Sequence, residues 1–140
     1  MWSFEYRQET AAATEAIWEL WSNPPAWTRW DEDLEEVTLD GAFEVGTPGS
    51  LKPKEMDAVP FVLTRVDPGS GYSDESTLPG AVLRFDHDLV REDGRLQIVQ
   101  RVTMTGEAAN EYFGQFGQGI VLDVPGALRK LAALAEAGAA

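Results

Sequence analysis

The 140-residue sequence predicts an α+β fold, a curved antiparallel β-sheet wrapped around a long C-terminal helix, with two short helices after the first strand. Three observations carry that prediction. A short alternating segment at the N-terminus gives way to a helical stripe. From Leu34 to Thr105 the helical period disappears and turn signals recur at short intervals. After Gly106 the apolar residues return to a spacing of three or four, the mark of a helix packed along one face.

The elements follow in order. Trp2, Phe4 and Tyr6 alternate with Ser3, Glu5 and Arg7, which predicts a strand over 2–9. Ile17, Trp18 and Trp21 form a helical stripe over 15–21, ended by Asn23-Pro24-Pro25, because a proline disfavours helical backbone in the residue before it. A second short helix restarts on Pro25 and carries Trp27 and Trp30. Strands are expected near 34–40, 47–54, 59–66, 71–78, 81–91 and 94–105. Asp40-Gly41, Pro48-Gly49, Asp67-Pro68-Gly69, Pro79-Gly80 and Asp93-Gly94 punctuate this region. Such short connections imply antiparallel neighbours, hence a six-stranded meander. In the last segment Phe113, Phe116, Ile120, Val124, Leu128 and Leu131 make the apolar stripe. Gly114, Gly117, Gly119 and Pro125 predict that this helix is broken, kinked or late in starting.

Composition bounds the function. The length fits one domain, 1–140. With no cysteine there is no disulfide, thiolate metal site or cysteine nucleophile, and one histidine excludes multi-histidine metal sites. No metal and no cofactor is expected. A net charge of −13 opposes phosphate backbones and anionic lipid, so neither nucleic acid nor membrane insertion is expected. The first residues lack a basic region followed by an apolar one, so no signal peptide is read and the cytoplasm is the expected compartment. A homodimer is common enough among small domains to expect. The acidic run from Asp31 to Glu36 reads as a solvated surface.

Two turns allow faces to be assigned from sequence. Asp93-Gly94 suits a type I′ hairpin turn, which sets Glu92 against Arg95, His87 against Gln100, Phe85 against Val102 and Leu83 against Met104. Pro79-Gly80 suits a type II turn, which sets Leu78 against Ala81, Asp74 against Phe85 and Tyr72 against His87. The apolar faces of the three strands then agree in parity. An otherwise apolar concave face receives a polar group of Tyr72, Asp74, His87 and Gln100, with Ser76 beside it. A register shift of one residue would instead turn Glu75 inward. This group reads in two ways. It is a set of core polar residues satisfying one another, or it is the polar part of a ligand cavity whose walls include Phe85, Val102, Phe113, Phe116 and Ile120, with Trp27 and Trp30 at its mouth. Trp18 and Trp21 read as core.

The segment Ala16–Pro24, Trp27-Thr28-Arg29-Trp30-Asp31, Leu39-Asp40-Gly41, Val45-Gly46-Thr47, Gly49–Pro53, Leu78-Pro79-Gly80, Phe85-Asp86-His87 and Val102–Gly106 together resemble the polyketide cyclase/dehydrase-like proteins of the START/Bet v 1-like (SRPBCC) superfamily. The resemblance spans nearly the whole chain and implies the helix-grip fold. It implies a deep hydrophobic cavity between sheet and long helix, taking polyketides, sterols, lipids, hormones or other planar apolar molecules. That superfamily has no universal catalytic residues, so none is carried over. In the sequences it resembles, the place of Gln100 is often histidine, and the chain has one titratable group fewer there.

Three functions are consistent with these readings. The first is binding of a hydrophobic, aromatic or polycyclic small molecule. The second is a polyketide cyclase or dehydratase in which His87, with Tyr72 or Asp74, moves protons. The third is a co-chaperone-like interaction module whose acidic surface meets a basic partner.

Overall fold

The computed structural model describes residues 1–138. Its elements are β1 (Trp2–Thr10), α1 (Thr14–Trp21), a 3₁₀ turn (Pro24–Arg29), β2 (Leu34–Leu39), β3 (Pro48–Pro53), β4 (Val59–Asp67), β5 (Gly71–Leu78), β6 (Ala81–Glu92) and β7 (Arg95–Thr105). They are followed by α2 (Ala109–Tyr112), a π-helical turn (Phe113–Gly117) and α3 (Gln118–Gly138). The strands form one antiparallel seven-stranded sheet in the order β1-β7-β6-β5-β4-β3-β2. The sheet curls into a half-barrel that holds α3. β1 and β2 lie at opposite edges, so α1 and the 3₁₀ turn must cross from one edge to the other. That crossing closes one end of the concave space.

The two turns behave as their residues require. Asp93 and Gly94 both have positive φ, 54° and 76°, as a type I′ turn demands. Gly80 has φ 76°, which follows Pro79 in a type II turn. The resulting register pairs Tyr72 with His87, His87 with Gln100, Asp74 with Phe85 and Phe85 with Val102. β1 extends the same rows, with Tyr6 opposite Gln100 and Phe4 opposite Val102.

α3 packs on β1, β7 and α1 through Val124, Leu128, Leu131, Ala132 and Ala135, all buried. The helical stretch is interrupted only at Phe113–Gly117, whose wide turn takes extra residues, and α3 then runs unbroken through Pro125. Gly117 is required there. A Cβ on it would lie 2.7 Å from the Trp2 indole, which donates from Nε1 to the Ala109 carbonyl at 2.8 Å. Phe113, at the start of this turn, is 36% exposed and sits edge-on to Trp2.

Candidate functional site

Period-two alternation carries three polar residues of β5, namely Tyr72, Asp74 and Ser76, onto the concave face, together with His87 of β6. Glu75 points the other way and pairs with Arg84 at 2.6 Å, so the alternative register is excluded. A β-bulge at Thr64 lies opposite this segment. It lets Leu63 pair with Asp74 on the inside while Arg65 pairs with Ser73 on the outside.

The row Tyr72–His87–Gln100–Tyr6 crosses the sheet near its closed end. The Tyr72 and His87 rings stack at 4.1 Å with 7° between their planes, and the Tyr72 hydroxyl lies 3.4 Å from His87 Nε2. Trp21 covers both rings edge-on, at 5.5 and 5.8 Å. Trp27 stacks on Tyr72 at 5.6 Å and donates from Nε1 to the Trp21 carbonyl at 2.9 Å. Phe43, on the β2–β3 loop, meets Tyr72 edge-on at 5.3 Å. These aromatics form a plug at one end of the space between sheet and helix. Trp27 and Trp30, expected at a mouth, are both buried, Trp27 as part of this plug. Trp18, expected in the core, is half-buried against Phe43.

The plug leaves His87 Nδ1 fully enclosed without a hydrogen-bond partner among the described residues. Such an atom costs about 1–3 kcal/mol. Burial pushes the imidazole down to about 3, against smaller opposing effects of the Tyr72 backbone and Asp86, so it is neutral at physiological pH. Burial, with Asp74 and Asp31 nearby, also pushes the Tyr72 phenol up.

Asp74 heads the next row, Asp74–Phe85–Val102–Phe4, and is 3% exposed. Its carboxyl makes no hydrogen bond among the described residues. It is also absent from the fully enclosed atoms that lack a partner, so the residue's slight exposure lies at the carboxyl. Burial, reinforced by Asp86 and Glu75 and opposed by Arg84, pushes it up to about 8. At neutral pH it is therefore mainly a neutral carboxylic acid, able to donate. In this row and the next, Phe4, Phe85 and Gln100 are half-buried, as are Phe116 and Ile120 of the C-terminal helical stretch. Val102 is fully buried.

Two shallow hollows among the described residues lie elsewhere. One is at the β3–β4 turn, between Lys52 and Val59. The other is between the β1–α1 link and the β6–β7 hairpin, beside Thr10 and Glu136. Asp31, expected to be solvated, is instead partly buried. It accepts the Asp33 backbone N–H at 3.1 Å, and burial pushes its carboxyl up to about 6, with Asp33 and Asp123 adding to the rise. Among the described residues no three His, Cys, Asp or Glu are grouped to hold a metal ion. No described helix is long and apolar enough to cross a membrane.

A curled sheet gripping a C-terminal helix around a mostly apolar interior defines a helix-grip protein. Solved structures place it further. The di-domain ARO/CYC StfQ from the steffimycin biosynthetic pathway superposes with a TM-score of 0.76 at 15% identity, over 98% of this chain and 51% of that one, so the chain spans about half of that protein. Ara h 8.0201 gives 0.74 at 12% identity, over 97% and 98% of the two chains. Truncated norcoclaurine synthase from Thalictrum flavum gives 0.70 at 13% identity, over 95% and 92%. The chain has the helix-grip fold of the Bet v 1-like (SRPBCC) proteins. At these identities the likeness is one of fold. No protein-family model matches the sequence, and no curated protein matches it significantly.

Proposed function

We propose that the protein binds a hydrophobic, flat, aromatic or polycyclic small molecule between the concave face of the sheet and α3. One observation carries this reading. An apolar face holds a carboxyl, Asp74, with no hydrogen-bond partner among the described residues, and an imidazole, His87, whose Nδ1 also lacks one. A fully structural role would leave them paired. Phe85, Phe116 and Ile120 supply apolar walls, and Gln100 a further polar contact. The test is titration with planar aromatic and polycyclic compounds, following tryptophan emission and Tm. A ligand quenches emission from Trp21 and Trp27 and raises Tm by mass action. No response across a broad apolar set would sink the reading. The proposal extends to a single ligand-binding domain, 1–140, in the cytoplasm, with a homodimer as its assembly.

A second reading is a cyclase or dehydratase in which His87, with Tyr72 or Asp74, moves protons. It is favoured by Asp74 and His87 sharing one face on adjacent strands. The low basicity of the enclosed imidazole makes Asp74 the better placed group, acting as an acid. Asp74→Ala would abolish turnover of a polyketide-like substrate while weakening binding by no more than about tenfold; surviving turnover would remove Asp74 from the chemistry.

A further inference from the structure

The ligand-binding reading leaves open what chemistry the interior selects. Three features of Asp74 bear on this. Its position is set by register, opposite Phe85 and beside the bulge at Thr64, so its side chain faces the interior. It has no hydrogen-bond partner among the described residues, and the small exposure it retains is at the carboxyl. The charges that surround it lie behind it, on the convex face: Glu75 and Asp86, both held by Arg84 at 2.6 and 2.9 Å. On the concave side it has Tyr72 on its own strand, His87 on β6 and Leu63 on β4. Among the described residues no cation faces it.

We propose that Asp74 is a hydrogen-bond donor that selects, within this apolar interior, a flat ligand bearing a neutral carbonyl oxygen, such as an aromatic ketone or quinone. The proposal rests on the ligand-binding reading and sharpens it. An isolated carboxylate in such surroundings is costly, and the group escapes that cost by keeping its proton. The retained proton needs an acceptor, and a ketone oxygen supplies one without bringing a charge. A carboxylate ligand would have to bury its own charge in a protein of net charge −13. A cationic amine would require both partners to ionise in a space with no other charge, where desolvation offsets attraction. His87 Nδ1, enclosed on the next strand, offers no competing donor or acceptor to Asp74 unless the aromatic plug moves.

Fluorene, fluorenone and the benzylic 9-fluorenylamine, which is cationic at pH 6, share one ring skeleton and test the choice directly. Binding is read by quenching of tryptophan emission and checked by equilibrium dialysis at pH 6. The wild-type protein binds fluorenone roughly tenfold more tightly than fluorene, as one buried hydrogen bond allows. Asp74→Leu binds both equally. Asp74→Asn, which still donates, retains most of the preference. Raising the pH past 8 erodes the preference in the wild type and not in Asp74→Asn. Equal binding of fluorene and fluorenone by the wild type, a preference that survives Asp74→Leu, or tighter binding of fluorenylamine would each overturn the proposal while leaving the apolar cavity intact. If none of the three binds and no planar compound shifts Tm, the ligand-binding reading falls and takes this proposal with it.

Discussion

On the convex face of β5 and β6, Arg84 reaches Glu75 at 2.6 Å and Asp86 at 2.9 Å, and Ser73 donates to Asp86 at 2.5 Å. Arg65 adds ion pairs to Asp67 at 2.9 Å and Asp88 at 3.0 Å. One residue further along the same strands, on the concave face, Asp74 has no partner and His87 leaves one nitrogen unmet. The two faces carry similar residue types. They differ in access to water and to arginine. Convex carboxylates meet a guanidinium at a partly exposed surface, where pairing is easy and worth little. Asp74 meets aromatic and aliphatic groups, so it keeps its proton. The difference teaches that in this sheet ionisation is decided by face and not by residue type.

The most forceful way to break the contrast is to remove the plug. Trp21→Ala is expected to cost about 3–5 kcal/mol in urea unfolding. It also lets water reach His87, whose imidazole then titrates closer to the ordinary value of 6.5. Because the chain has a single histidine, one NMR resonance reports this without ambiguity. An unchanged titration would mean that Trp21 is not what dries the ring.

A subtler change addresses Asp74. Its folded-state value near 8 lies above the ordinary 3.8, so the folded state holds a proton that the unfolded chain has released. Stability from this group is complete below about pH 4 and is lost as pH rises towards 8. His87 acts in the opposite sense. Its folded value is depressed, so its contribution is present above pH 6.5 and is lost on acidification towards 3. Asp31 follows Asp74 in sign but finishes near pH 6. Between pH 6.5 and 8 Asp74 is therefore the shifted group that acts. Wild-type Tm falls across that window by a few degrees, roughly 3–5 °C for each 1 kcal/mol. In Asp74→Asn the curve is flat. A wild-type curve that does not fall would show that Asp74 ionises freely.

In the intact protein the histidine resonance stays at its neutral position from pH 8 down to about 4.5, since burial holds the group near 3. A midpoint near 6 would show an open, hydrated ring. The smallest effect belongs to the convex face. Glu75→Gln removes an ion pair at the surface and is expected to cost less than about 1 kcal/mol in urea unfolding, with no change in the histidine titration.

Much of the sheet is legible in the sequence because hairpin register is a local property. Pro79-Gly80 and Asp93-Gly94 each demand a particular turn, and each turn determines every pair in its hairpin. Turn chemistry and alternation alone therefore set Tyr72, Asp74, His87 and Gln100 on one face. The convex partners follow from the same parity. Phe43 is not legible, since nothing around it marks a loop residue that reaches Tyr72. Nor is the π-helical turn at 113–117, because helical spacing assumes a constant pitch that this turn breaks. Asp31 escapes a sequence reading because an acidic run looks solvated until the burial of its first member is seen.

The sequence by itself determined the order of elements, the pairing of β5, β6 and β7 and the identity of the inward polar residues. These depend on turn chemistry and on alternation, which act over a few residues. Only the tertiary structure decided that Trp21, Trp27 and Phe43 close one end of the interior, and that Asp74 is left without a cation. Those outcomes depend on residues far apart in the chain meeting in three dimensions, and on the water they exclude when they meet.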